Sequence, residues 1–452
     1  MTARPRRRPS KSILGALALL AATGLARAQE EGGDGGAAAE AGADSAQTAT
    51  NINASPDEGK PYFLRASQGL AHDDNIFRVA DERGTKSDWI SSTALIAGFS
   101  QPFGRQRGYG NATLRGNAYR DQSQLNNLGY DLGLGLDWST IERLSGDVTI
   151  NASQSLASFA DYGSADRESL GKNQELSQRY AAHAQYGITA VWALTGLLEY
   201  ERIDFTADEF ANRERTALIF GGGVRYRPSG IWAFGLGARR IDGSYPQSAV
   251  RNGVAVADDY TSDNIDLTAR LFATGLSTFA ARVSFTDEKH DLSSARDFRG
   301  VTGSLEWDYQ VTGKVNVGLS LSRDTGSTTN STTISGVNTF LTDANLTNRV
   351  GVRSTWNATG KIRVTAAAAY WRDSFDDQFT EIIDGGAVIG VRDESANSYS
   401  LDLRVNYQAT RTLGFLCGGR YEDRGSSGRN VNTLNGFTST TLFCNATLAL
   451  RG

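Results

Sequence analysis

The sequence predicts an all-β fold, a transmembrane antiparallel up-and-down β-barrel of about 18 strands, with 16 as the alternative count. Three observations predict it. Apolar and polar residues alternate in segment after segment of ten to fourteen residues, long enough for a tilted strand to cross a bilayer. The connections between segments tend to alternate between short and long, as they do when all tight turns lie at one end of a barrel and all long loops at the other. The composition suits strands better than helices, with 50 glycines, 7 prolines and 39% hydrophobic residues in 452.

The chain opens on a secretory signal. Arg4, Arg6, Arg7, Arg8 and Lys11 form its positive region, Ile13 to Ala26 its apolar core, and Ala26-Arg27-Ala28 fits the small-x-small cleavage rule. Residues 1–28 carry six Lys/Arg and no acid, so the remainder has 40 basic against 50 acidic residues, a net charge of −10. Such an acidic chain is expected to bind no nucleic acid. Residues 29–60 hold no aromatic residue and little to bury, and read as a disordered periplasmic linker. The barrel is expected over 61–452. After the signal no run reaches the length of a spanning helix; the longest candidate is Ile188 to Leu198.

The strand segments fall at about 61–72, 88–101, 108–120, 128–139, 143–155, 175–189, 191–204, 214–227, 230–241, 259–273, 276–288, 297–310, 313–323, 344–358, 360–372, 395–408, 411–423 and 437–451. Leu132, Leu134, Leu136 and Trp138 alternate with Asp131, Gly133, Gly135 and Asp137. Tyr399, Leu401, Leu403, Val405 and Tyr407 alternate with Ser400, Asp402, Arg404, Asn406 and Gln408. A period of two puts each set on one face of a sheet. The segment 88–101 is less clean, with Leu95 and Ile96 on opposite faces.

Short connections include Thr140–Glu142, Pro228–Ser229, Thr274–Gly275, Thr312–Gly313, Thr359–Gly360 and Thr410. Long ones include His72–Ser87, Ser155–Asn173, Asp242–Asp258, Arg323–Asp343, Arg372–Glu394 and Asp423–Gly436. With the N-terminus in the periplasm, every long loop faces the cell exterior of a Gram-negative outer membrane. Trp138, Trp192, Trp232, Tyr309, Trp356 and Tyr407 lie beside short turns, where an interfacial aromatic girdle in contact with outer-membrane lipid belongs.

Eighteen strands tilted by about 40° enclose a backbone cylinder roughly 35 Å wide, too wide for side chains to fill. The lumen is therefore expected to be aqueous unless loops fold inward. Its wall should present Arg225, Arg239, Arg270, Arg282, Arg353, Arg363, Arg404 and Arg420, with Glu199, Glu306 and Asp402 among the acids. The planar donor fork of arginine suits carboxylates and hydroxyl-rich solutes, while charges on such a wall also pair with one another.

Catalytic and metal chemistry is not signalled. His72, His183 and His290 are far apart and lack ligand spacing, Gly221-Gly222-Gly223 lies inside a strand rather than before a helix, and no Ser–His–Asp set stands out. No cofactor, metal or catalytic residue is expected. If the hairpin between Asp423 and Phe437 turns near residue 430, Cys417 and Cys444 face each other on adjacent strands, outward. As the sole cysteines in an oxidising compartment they form a possible disulfide.

The opening stretch, Tyr62 to Arg78, reads YFLRASQGLAHDDNIFR. Its Asp73-Asp74-Asn75-Ile76-Phe77-Arg78 segment, a strand running into D-D-N-aliphatic-aromatic-R, resembles the start of outer-membrane barrels of the "beta-barrel porin 2" group associated with exopolysaccharide biosynthesis. The resemblance implies a barrel that exports polysaccharide, working with a periplasmic polysaccharide-export partner, and it supplies no catalytic residues. The residues alone also fit a general or sugar-uptake porin, or a surface barrel used for adhesion or envelope structure.

Overall fold

A computed structural model describes residues 61–451 apart from 82–83, 160–171, 252–253, 293, 326–345, 384–385 and 428–435. The expected signal (1–28) and linker (29–60) lie outside the described residues. Eighteen strands account for nearly all of the described chain. They are β1 (Tyr62–Asp73), β2 (Asp88–Phe103), β3 (Gln106–Tyr119), β4 (Asn127–Ser139), β5 (Leu144–Leu156), β6 (Gln174–Gly187), β7 (Trp192–Phe205), β8 (Arg215–Tyr226), β9 (Trp232–Arg251), β10 (Val254–Thr274), β11 (Ser277–His290), β12 (Phe298–Thr312), β13 (Val315–Asp324), β14 (Leu346–Asn357), β15 (Ile362–Ile383), β16 (Gly386–Gln408), β17 (Leu413–Ser427) and β18 (Phe437–Arg451).

Each strand pairs antiparallel with its sequence neighbours, and β1 pairs with both β2 and β18. The sheet is therefore a closed up-and-down barrel of 18 strands, which settles the count against 16. Closure leaves no edge with unpaired backbone groups, the condition for a sheet in an apolar solvent.

The strands alternate as the sequence does, but with the polar side inward. On β16, Ser400 and Asp402 are 2% and 5% exposed, whereas Leu401 and Leu403 are 56% and 53% exposed. The outward row of β4, from Leu128 to Leu136, is likewise apolar. A water-soluble barrel would invert this pattern. Near the short turns the outward aromatics pack on one another: Trp192 lies tilted on Tyr226 at 4.4 Å between ring centroids, and Phe279, Trp307 and Tyr309 stack in a run with 5.7 Å spacings.

Five of the short turns share one device. The hydroxyl of Thr189, Ser229, Thr312, Thr359 or Thr410 accepts backbone N–H groups two and three residues on, at 3.0–3.3 Å. This satisfies donors that a tight turn strands and explains why these connections keep Thr or Ser at one position.

Two connections depart from expectation. Asp242–Asp258 and Arg372–Glu394 are not loops for most of their length: pairing continues to Val254↔Arg251 in β9–β10 and to Gly386↔Ile383 in β15–β16. Alternation of a membrane-spanning kind ends before these ribbons do, so the sequence pattern alone does not mark them as strand.

Candidate functional site: a polar lumen stoppered at one end

All eleven charged residues predicted for the lumen share strand parity with buried inward residues, so the period of two places them on the inner face, although Arg270, Glu306 and Arg363 are themselves exposed. The structure brings some of them together. On β16 and β17, Asp402 takes Arg404 at 2.6 Å and Arg420 at 3.6 Å. On β9–β13, Asp266 lies 3.2 Å from Arg239 and 4.0 Å from Arg282, and Arg282 reaches Asp324 at 2.8 Å. The Ser284 hydroxyl also donates to Asp266. Glu199 pairs with Arg179 at 2.6 Å, and Glu201 links Arg179 (3.6 Å) to Arg215 (3.9 Å). Arg353 approaches Asp308 at 3.9 Å across β13, and Arg363 donates to Asn357 at 2.9 Å. Arg225, Arg270 and Glu306 lie on the short-turn half of the wall and make no ion pair among the described residues; the Arg270 guanidinium lies over the Phe272 ring at 5.8 Å.

Exposure varies with height on the arc of β10–β15, whereas on the arc of β17–β3 burial extends towards the short turns as well, at Phe63, Ser67, Ile96, Leu416 and Thr447. Towards the short turns, inward Thr268, Arg270, Glu306, Asp308 and Arg363 are exposed. Towards the long loops, inward Asp73, Asp88, Glu201, Asp258, Glu288, Asp373 and Ser398 are all buried, several to 0%. A wall of this diameter buries its inner side chains only if something lies against them.

What lies against β1–β3 and β17–β18 is an apolar core made by loops folded inward. Ile76, Phe77 and Val79 from the β1–β2 connection, Leu125 from β3–β4, Phe159 from β5–β6 and Phe210 from β7–β8 form one buried cluster. The inward wall residues Ala71, Ile90, Tyr119, Leu416 and Phe443 belong to it as well. Phe77 and Phe159 meet edge to face at 5.0 Å. Their parent strands β2 and β5 are three neighbours apart, about 14 Å along the wall, so both loops leave the wall to make this contact. On the opposite arc, the short 3-10 turn Ser294–Arg296 between β11 and β12 reaches β15.

The β1–β2 corner is the best-fastened part of this stopper, and it is the D-D-N-I-F-R segment. Asp73 is fully buried and accepts from the Asn75 backbone N–H (2.9 Å), Arg78 Nη1 (3.0 Å), Ser439 Oγ (3.1 Å) and Thr441 Oγ1 (3.0 Å). Asn75 brackets Val79, donating to its carbonyl at 2.7 Å and accepting its N–H at 3.0 Å, and donates to the Thr438 carbonyl on β18 at 2.8 Å. Arg78, in the left-handed region at φ 53°, turns inward and lies 3.8 Å from Glu422 on β17. The polar ties hold the backbone so that Ile76 and Phe77 point into the barrel.

A second buried constellation lies on the arc of β8–β11. His290 sits 3.0 Å from Asp258 and 3.5 Å from Glu288 and stacks on Tyr260 at 5.1 Å; Arg296 covers the Tyr245 ring at 4.4 Å. These contacts, with the His290 backbone N–H donating to Asp297 at 2.8 Å, fasten the β11–β12 connection. Among the described residues no group of three or more His, Cys, Asp or Glu could hold a metal ion.

The structure joins Cys417 and Cys444, paired in register on the outward face with Cα atoms 4.0 Å apart. Sequence reasoning missed the inward course of the β1–β2 connection. The available signal was Ile76-Phe77 and Val79, apolar residues inside a connection expected to face water.

No family model matches the chain, and no curated protein matches it. Its backbone is similar to solved structures from Pseudomonas aeruginosa. OprD is 10% identical, with 87% of this chain and 98% of that one covered at a TM-score of 0.44. OpdK, solved with vanillate, is 12% identical over 86% and 98%, at 0.43. The ferric enterobactin receptor PfeA is 9% identical over 86% and 80%, at 0.43. At such identities and scores the likeness carries no argument about what passes through this barrel.

Proposed function

We propose that this chain is an outer-membrane channel that passes small hydrophilic solutes through its lumen, with long loops outside the cell and the N-terminus in the periplasm. One observation carries the reading: the barrel is polar and charged inside and apolar outside, and the inward loops pack against the arc of β17–β3 while inward Thr268, Arg270, Glu306, Asp308 and Arg363 elsewhere on the wall stay exposed. An apolar outer wall with stacked aromatics at the short-turn end suits a bilayer. A paired-charge inner wall suits hydrated solutes, because it offers donors and acceptors without one dominant site. The inward loops favour small cargo over a polymer, since a secreted polysaccharide needs the whole long-loop half cleared. The uptake reading therefore stands ahead of the export reading implied by the D-D-N-I-F-R resemblance.

The test is expression in an outer-membrane host stripped of its own general porins. Faster entry of small sugars and hydrophilic antibiotics, with secreted polysaccharide unchanged, is expected. Unchanged entry together with altered polysaccharide secretion would replace this reading with export.

A further inference from the structure

The outward face of β8–β12 carries a horizontal groove of about 840 Å³. Its lower wall is the in-register apolar row Gly222, Ala238, Ile265, Phe285 and Val301, and its upper wall is the row Phe220, Arg240, Asp263, Asp287 and Arg299. Rows two residues apart on one face differ by less than 7 Å along the strand, roughly. The outer wall therefore changes from apolar to charged across the width of the groove. Gly222 and Ala238 supply the depression by leaving no bulk between Phe220 and Leu236.

The charge is uneven along the upper wall. Arg240 is engaged by Asp242 at 2.8 Å and by Asp263 at 3.4 Å. At the other end, Arg299 and Lys289 converge on the single carboxylate of Asp287, at 4.0 and 3.9 Å, and their side chains are 87% and 70% exposed. Three cations, Arg240, Lys289 and Arg299, face three acids, Asp242, Asp263 and Asp287, and the pairing leaves the positive excess at the Arg299 and Lys289 end, above exposed Phe285 and Val301.

We infer that this groove binds a phosphate-headed membrane lipid from the leaflet on the long-loop side. The phosphate lies between Arg299 and Lys289, and an acyl chain lies along Ile265, Phe285 and Val301. The occupant follows from complementarity of both kinds: charge-assisted bonds from two cations select a phosphate over a neutral head, and the apolar wall selects an acyl lipid over a free anion. The inference rests on the reading that the outer wall lies in a bilayer.

The experiment is native mass spectrometry of the full barrel released from nanodiscs, with phosphatidic acid, neutral diacylglycerol or inorganic phosphate as the probe. Phosphatidic acid should be retained at least tenfold better than diacylglycerol, and Arg299→Ala with Lys289→Ala should remove that preference while Arg202→Ala leaves it. Equal retention of both lipids, or binding of inorganic phosphate as tight as that of the lipid, overturns the inference. Failure of the bilayer reading looks different, because the protein would then enter no nanodisc of any composition.

Discussion

Phe77→Ala tests whether the inward loops control passage. Phe77 is 1% exposed and packs on Phe159 inside the largest apolar cluster among the described residues. Truncating a buried phenylalanine costs about 3–5 kcal/mol where the surroundings cannot collapse. The barrel ladders do not include Phe77, so the loss falls on the stopper. A weakening of about 3 kcal/mol lowers the ratio of closed to open stopper by about a hundredfold. In planar bilayers the variant should therefore show a higher open fraction and larger steady current than the parent chain. Phe159→Ala should act in the same direction. The double variant should fall short of the sum, because each ring is the other's partner. Circular dichroism and heat-modifiable gel mobility establish that the barrel is intact. A folded Phe77→Ala barrel with unchanged currents would refute the reasoning, since the loop core would then not limit conduction.

Arg78→Ala leaves Asp73 and Glu422 buried without that cation, which costs about 3–5 kcal/mol for a buried pair broken on one side. It should open the channel as Phe77→Ala does, and Arg78→Lys should rescue little because it lacks the planar fork; normal gating in Arg78→Ala would remove the corner from the account. Leu403→Arg, on the outward face of β16, should lower stability in lipid vesicles by about 2–4 kcal/mol, whereas Asn406→Arg on the inward face should leave urea unfolding nearly unchanged. Equal effects would mean the outer face does not meet lipid. The Cys417–Cys444 bond closes a segment of 27 residues, and its reduction should cost about 3 kcal/mol in unfolding experiments. Alkylation before reduction that labels two thiols would remove the bond.

The barrel was legible because its two signals do not depend on tertiary detail. Alternation such as that of Leu132–Trp138 fixes which residues share a face, and loop-length parity fixes which ends lie together. The lumen positions of Arg239, Arg282, Asp402 and the others follow from the same period. Who pairs with whom does not, because Arg239 and Asp266 meet through strand register that no single strand encodes. The stopper was hidden for another reason. Ile90 and Ile96 on β2 look like a broken alternation, but they are inward apolar residues. Ile90 is a seat for the loop core, and Ile96 packs with Phe63 and Ala94 lower on the wall. A loop that packs inside a barrel carries the residue types of a core without its periodicity, so Ile76-Phe77 is read as surface until the fold is known.

Osmotic swelling of proteoliposomes tests the central claim most directly, using neutral sugars of increasing size in the parent chain and in Phe77→Ala. The account predicts that small sugars enter through the parent barrel, that the size limit rises in Phe77→Ala, and that long oligosaccharides stay excluded from the parent. No entry of any sugar in either chain, with the barrel folded and inserted, would contradict a solute-passing lumen.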